Sequence, residues 1–476
     1  MTGQRSYWLL AALAGFFVAT QPVAVTMVAV VVISFMLLAS ITSVAALMFL
    51  LILAPLRTLI ATEASFQLPV DIGQVALFGV LAAWLAHFIV RNRTLPKLPY
   101  SPLYIPLLLV LVLTSPGVFT ALSFGAWATE WLKWVQMLVL VFIVLTVVSG
   151  RAWQWLIFGL VLAGVANAIV GLYEFLGGSG ALHLLINDRF FRAFGTFGQP
   201  NPFGGFMGLL TPVALTCVLG YATRWWSQRR RIDGAAALFY AVCTLILLTG
   251  IIISWSRGAW LAFAAALVVV LLALPYRTWH GLTLAGGMLL VGLTLWLSGV
   301  VPESVVARIS SSTEEFFALE DVRGVDITPD NYPVVERLAH WQAALNMTRA
   351  YPWVGVGLGN YEVAYPNFRL INWDEPLGHA HNYYLNILAE AGLIGLLGYG
   401  KAWLLIIWLN WQVRKHPDIL SRFVAVGLLG TWTFLLVHSL FDNLYVNNLF
   451  LHIGLMLGIL GVLYNQVTRR TYLRSR

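Results

Sequence analysis

The chain has 476 residues, 60% of them hydrophobic and only 10% charged, with a mean hydropathy of +0.82. Soluble domains carry about 25% charged residues, so a water-soluble globule is excluded. The net charge of +8 does not require a nucleic-acid partner, because the basic residues fall in every second connection between apolar runs.

In chain order, apolar stretches predict membrane helices at 7–20, 22–38, 40–60, 70–91, 102–115, 127–149, 151–176, 201–222, 234–253, 257–274, 279–300, 381–410, 421–440 and 444–466. The first two are short, and they read equally as one kinked or re-entrant element around Pro22. No small-residue cleavage site follows the first run, which therefore reads as a span and not as a removed signal peptide. The expected fold is an all-α polytopic membrane protein with about 12–14 transmembrane helices. Cys217 and Cys243 lie inside apolar runs and imply no disulfide.

Charge orients the spans. Arg91, Arg93 and Lys97, then Arg224 with Arg229 to Arg231, Arg277, Arg414, Lys415 and Arg422, and finally Arg469, Arg470, Arg474 and Arg476 mark cytoplasmic connections. Glu63, Asp71, Asp188 and the acid-rich stretch from Glu303 to Glu375 fall on the other side. Both termini are expected in the cytoplasm. The chain divides into N-terminal transmembrane helices (1–300), an extracytoplasmic loop with short helices (301–378) and C-terminal transmembrane helices (379–476). Within the loop, 301–335 reads as irregular and 334–350 as a helix ended by Tyr351-Pro352. Gly355, Gly357 and Gly359 imitate a nucleotide loop, but no strand–loop–helix context surrounds them.

Several polar features converge on the outer side. Arg192 precedes Phe197-Gly198-Gln199-Pro200-Asn201-Pro202 at the mouth of a span, and Arg257 lies in Ser254-Trp255-Ser256-Arg257-Gly258 between two apolar runs. An arginine at a span end often only snorkels to headgroups. Here small polar neighbours make a pocket instead, and a guanidinium suits phosphate because it donates two parallel hydrogen bonds. Arg337 sits on the loop helix. His379, His381 and Asn382 open the span at 381–410. A histidine at such a place is commonly a structural hydrogen-bonder. The helix N-terminus and nearby arginines lower its pKa, which leaves it neutral and able to take a proton. His379-x-His381 with Asp374 and Glu375 also admits zinc or manganese. Two histidines one residue apart diverge on a helix, so the expectation is no metal and no cofactor.

His381-Asn382 followed after nine residues by Gly392-Leu393-Ile394-Gly395 resembles the hallmark of the O-antigen ligase and polymerase superfamily of bacterial membrane glycosyltransferases. Ser256-Arg257-Gly258, Arg337 before His340-Trp341, and Phe197 to Pro202 resemble further motifs of that family, over roughly 190–400. The resemblance implies an enzyme of the inner membrane with its active site facing the periplasm. Such an enzyme moves a glycan from undecaprenyl pyrophosphate to an acceptor hydroxyl on lipid A–core, a growing polymer or a protein, without metal. Arg257 and Arg337 would bind the pyrophosphate, and His381 would act as general base with inversion. Arg192 and Asn201 would contact the donor or shape the site, and Asn382 would cap the helix or orient His381. Asp442 reads as a supporting residue or a turn former. The alternative from another class is a transporter of a small anion such as bicarbonate.

Overall fold

A computed structural model describes residues 42–63, 71–92, 96–178, 180–186, 189–308, 321–328 and 331–474 and, singly, Gly15, Thr26 and Ser310. The expected spans at 7–20 and 22–38 lie outside the described residues. The remainder is an all-α polytopic membrane protein. Ten described helices are long and apolar enough to cross a membrane, and the shorter apolar helices Tyr104–Phe119 and Arg257–Ala273 complete the pattern read from the sequence.

The helices are α1 (Ser43–Leu53), α2 (Arg57–Glu63), α3 (Ile72–Ala86), α4 (Tyr104–Thr114), α5 (Phe124–Val147), α6 (Trp153–Tyr173), α7 (Pro200–Gln228), α8 (Arg231–Ile253), α9 (Arg257–Ala273) and α10 (Thr278–Leu297). After them come α11 (Tyr332–Ala350), α12 (Tyr361–Ala364), α13 (Tyr383–Val413), α14 (Ile419–His438) and α15 (Leu449–Arg474). A two-residue antiparallel pair, β1 (Leu185–Ile186) with β2 (Phe190–Phe191), precedes α7. Capping fixes several helix starts. Thr42, Asp71, Ser123, Asn382 and Asp418 each accept a backbone N–H from the first turn of the helix they open.

The centre of the bundle is α7 packed between α8 and α14, with α9 against α14 and α15 against α5. Small residues allow this close approach. A Cβ at Gly208 would lie 1.9 Å from the Phe434 ring, and one at Gly427 would lie 2.2 Å from Thr216 Oγ1. By contrast α10 is almost entirely exposed along its length.

The two ends of the bundle differ in chemistry. One end holds Arg151 paired with Asp418, Arg224 paired with Asp233, and Arg414 and Arg422 donating to the carbonyls of Pro275 and Leu274. The other collects the α2 C-terminus, the α5 N-terminus, the hairpin, the α8–α9 turn, residues 351–382 and residues 439–448. It also collects backbone strain. Trp255, Leu377, His381, Asn447 and Asn448 have positive φ there, whereas Arg229 is the single case at the basic end among the described residues.

The long span expected at 381–410 is not one straight helix. It begins at Tyr383 and breaks at Gly392, where φ is 64° and ψ −168°. The loop after α11 fills the break. Val356 and Gly357 donate to the carbonyls of Ala389 and Glu390, each at 2.9 Å, while Leu393 and Ile394 donate to Pro352 and Trp353 at 2.9 and 3.2 Å. Backbone groups freed inside a membrane helix are thereby satisfied by protein, the condition for tolerating such a break. Gly355 has φ 68°, and a Cβ there would lie 2.2 Å from the Glu390 carbonyl carbon. The glycines at 355–359 thus serve docking of this loop, in keeping with the absence of a nucleotide-loop context. The segment also shares a buried core with the start of α13 through Ala343, Met347, Tyr361, Ala380 and Ala389.

Candidate active site

The arginines come together. Arg192, Arg257, Arg308 and Arg337 line one cavity of about 150 Å³ with Asn201, Ser256, His438 and Asp442. Each is delivered by a different element. Arg192 follows β2, and its N–H donates to Leu184 O at 2.8 Å while its Nε donates to Ser254 O at 3.2 Å. Glu174, near the end of the span expected at 151–176, accepts the N–H groups of Phe194 and Gly195 and anchors the segment just after Arg192. Asn201, the second residue of α7, accepts from Arg192 at 3.4 Å. Arg257 is the first residue of α9, after a turn in which Ser254 and Ser256 are buried and the Ser254 hydroxyl accepts the Ser256 N–H. Arg337 projects from α11, and Arg308 lies on a helical stretch described over 303–308 and donates to Trp255 O at 3.1 Å.

Four half-buried guanidinium groups crowd this cavity, and burying like charges side by side costs free energy. The Arg192 side chain records that cost: burial first, then the charges of Arg308, Arg337 and Arg257, push its pKa down to about 9. The stretch 301–335, expected to be irregular, supplies Arg308. Sequence reasoning missed it because nothing near it in sequence marks it off from the other loop charges.

The histidines lie beside this cavity. They precede α13 and do not ride on it, which corrects the spacing argument that they diverge. His381 takes a left-handed conformation with φ 50°, and the His379 and His381 ring centroids are 4.5 Å apart. His379 Nδ1 accepts the His381 N–H at 3.0 Å, so its Nε2 carries the proton offered to Asp442 at 3.2 Å. His381 Nδ1 is 4.0 Å from the same carboxylate and has no hydrogen-bond partner among the described residues. Asn382 caps α13 by accepting the N–H groups of Tyr384 and Leu385.

Asp442, weighed from sequence as a supporting residue or a turn former, is the hub of this cluster. Burial works to raise its pKa, but His379, His381, His438 and the Asn443 N–H hold the carboxyl below its usual range. His381 is driven down to about 3, by burial first and then by His379, Arg337 and His340, with Asp442 opposing them. Burial and His379 hold His340 at about 4. Its ring stacks on Tyr365 at 4.8 Å and bonds the Tyr361 hydroxyl at 3.0 Å. Both imidazoles are therefore neutral at pH 7.

Coordinating atoms of His379, His381 and Asp442 lie within 4.8 Å of one another, a cluster able to hold a metal ion in which Asp442 joins the two histidines weighed from the sequence. Asp374 and Glu375, the acids considered from sequence, are not in it. Asp374 pairs with Arg369 instead.

A second, larger cavity of about 510 Å³ opens on the other side of His379. Its lining includes Glu130, Glu362, Glu390, Tyr383, Asn386 and Asn443.

The motifs that built this geometry have counterparts among known proteins. Residues 242–400 match the sequence profile of the family described as O-Antigen ligase. Over that stretch the chain is similar to the O-antigen ligase family. That stretch includes Arg257, Arg308, Arg337, His379, His381 and Gly392, and leaves out Arg192, Asn201 and Asp442. The chain is also 26% identical over 264 residues to the O-antigen ligase of Pseudomonas aeruginosa, a match covering 52% of this chain and 57% of that relative. The chain thus matches little more than half the length of this O-antigen ligase.

Proposed function

We propose that the protein is a multi-pass glycosyltransferase of the bacterial inner membrane. It would move a glycan from undecaprenyl pyrophosphate to an acceptor hydroxyl on the periplasmic side, in the manner of an O-antigen ligase. The observation that carries this reading is the four-arginine cavity sharing a wall with the His379–His381–Asp442 cluster. A diphosphate is the anion such a clamp suits, since each guanidinium donates paired hydrogen bonds and keeps its charge.

The chemistry follows from the placement. The acceptor oxygen attacks the anomeric carbon, the bond from that carbon to the diphosphate oxygen breaks, and the electron pair leaves with the diphosphate. The hydroxyl proton passes to His381, whose Nδ1 has no protein partner among the described residues. Asp442 stabilises the imidazolium that forms. Attack opposite the leaving group inverts the carbon. Arg192, Arg257, Arg308 and Arg337 hold the diphosphate and offset the charge it gains. Arg337 also depresses the His381 pKa. Donor binding offsets that charge, so His381 becomes a stronger base once the donor is seated.

The metal reading rests on the clustered ligand atoms. Against it, both His379 nitrogens are already engaged, and the neighbouring cavity is strongly cationic. The test is purified protein in liposomes with lipid-linked glycan, a hydroxyl acceptor and no ion gradient. Transfer that persists in EDTA supports the arginine mechanism, and transfer lost to EDTA and restored by zinc or manganese supports the metal. Gradient-driven anion uptake without transfer would favour a transporter.

A further inference from the structure

The 510 Å³ cavity is separate from the arginine cavity and is lined by acidic residues where that one is lined by arginines. Among the described residues, three carboxylates line it and no lysine or arginine does. Glu390 is buried, and its Oε1 accepts the Tyr361 N–H at 3.0 Å, so it holds the cavity wall. Glu130 pairs with Lys133, which stands outside the lining. Glu362 is exposed and has no hydrogen-bond or ion-pair partner among the described residues, and it lies against Gly378, next to His379.

The other walls are those of a saccharide site. Asn386, Asn443, Gln199 and Thr62 offer donors and acceptors, and Tyr383 offers an aromatic face held by its stack on Tyr445 at 4.8 Å. Its volume falls in the range of about 300–1,000 Å³ typical of ligand pockets. His379 lines this cavity and bonds at 3.2 Å to Asp442, which lines the arginine cavity, so this pair links the two.

Resting on the transferase reading above, we propose that this acidic cavity is the acceptor subsite and that it selects an oligosaccharide end free of phosphate. Carboxylates accept hydrogen bonds from sugar hydroxyls, as charge-assisted bonds of the stronger kind. A phosphate brought there meets the exposed Glu362 carboxylate, with no lysine or arginine in the described lining to offset it. The two cavities thus sort the two substrates by charge: the diphosphate end of the donor to the arginines, the neutral end of the acceptor to the glutamates.

The experiment uses the full chain in liposomes with one lipid-linked glycan donor and two acceptors on the same lipid anchor. One acceptor carries a neutral oligosaccharide, and the other carries the same oligosaccharide bearing a phosphate monoester. Wild type is expected to show kcat/KM at least ten-fold higher for the neutral acceptor. Glu362→Gln should narrow that ratio several-fold, and Glu362→Arg should bring it to one or reverse it, while the Kd for undecaprenyl pyrophosphate stays unchanged. Because Glu362 is exposed, both variants should fold; unchanged donor Kd verifies it. Equal use of the two acceptors by wild type, or a ratio that neither substitution moves, overturns the acceptor assignment and leaves the transferase reading intact. Absence of transfer to both acceptors overturns the two together.

Discussion

Gly392→Ala probes the joint on which the site is built. At φ 64° and ψ −168° the residue occupies backbone space that is almost exclusively glycine's, and forcing alanine into it costs about 1–3 kcal/mol. The added Cβ would lie 2.3 Å from the Trp353 carbonyl carbon and 2.4 Å from Val354 N, both backbone atoms that no rotamer change can move aside. The 352–357 segment must therefore withdraw, with loss of its four hydrogen bonds to α13. At about 0.5–1.5 kcal/mol each, that adds about 2–6 kcal/mol. Straightening of α13 would relieve the strain but would swing its first turn, and with it His379 and His381, away from Asp442. A displacement of about 1 Å can cost about 100-fold in rate. The assay pairs thermal unfolding in detergent with glycan transfer. Gly392→Ala should lose at least about 3 kcal/mol, and transfer should fall at least about 100-fold. Gly400→Ala is the control on the same helix: nothing lies within 4 Å of its added Cβ, and it should be neutral or gain up to about 1 kcal/mol. Equal behaviour of the two variants would refute the reasoning.

Arg308→Lys should weaken undecaprenyl pyrophosphate binding about 10-fold or more, because a point charge cannot reproduce the guanidinium fork; unchanged donor Kd would remove Arg308 from the clamp. Since His381 sits at about 3, below the ordinary 6.5, the base stays unprotonated as pH falls, and kcat/KM should remain flat between pH 8 and pH 5. A half-maximal loss near pH 6.5 would contradict that. The same depression, shared by His340 at about 4, gives the fold stability that is complete above pH 6.5 and lost as pH falls from there toward 4 and 3, to be read in unfolding midpoints. For sidedness, a membrane-impermeant thiol reagent on intact cells should label Thr328→Cys and not Ser227→Cys, and the reverse pattern would invert the topology.

The spans were legible because length and apolarity are written into composition, and the basic connections recur on schedule. Arg257 stood out since a permanent charge between apolar runs has few structural excuses. The break in α13 was hidden because Leu385 to Leu397 reads as one apolar run, and only Gly392 with the glycines of 355–359 hinted that two segments interlock. The convergence of His379 and His381 was missed for the same reason: a helix was assumed where the chain turns through a left-handed residue. Glu174 and Glu390, acids within the spans expected at 151–176 and 381–410, satisfy backbone N–H groups of loops that carry or border the site. Arg308 and Asp442 are brought to the cavity by tertiary structure, which local patterning does not encode.

The most direct test of the proposed mechanism is His381→Ala, measured for donor binding and for transfer in the same liposomes. Loss of a general base costs a factor of about 10²–10⁴ in rate and leaves ground-state binding alone. The account predicts that undecaprenyl pyrophosphate binds His381→Ala with the wild-type Kd while glycan transfer falls by at least about 100-fold. Transfer at the wild-type rate, or a loss explained entirely by weaker donor binding, would contradict it.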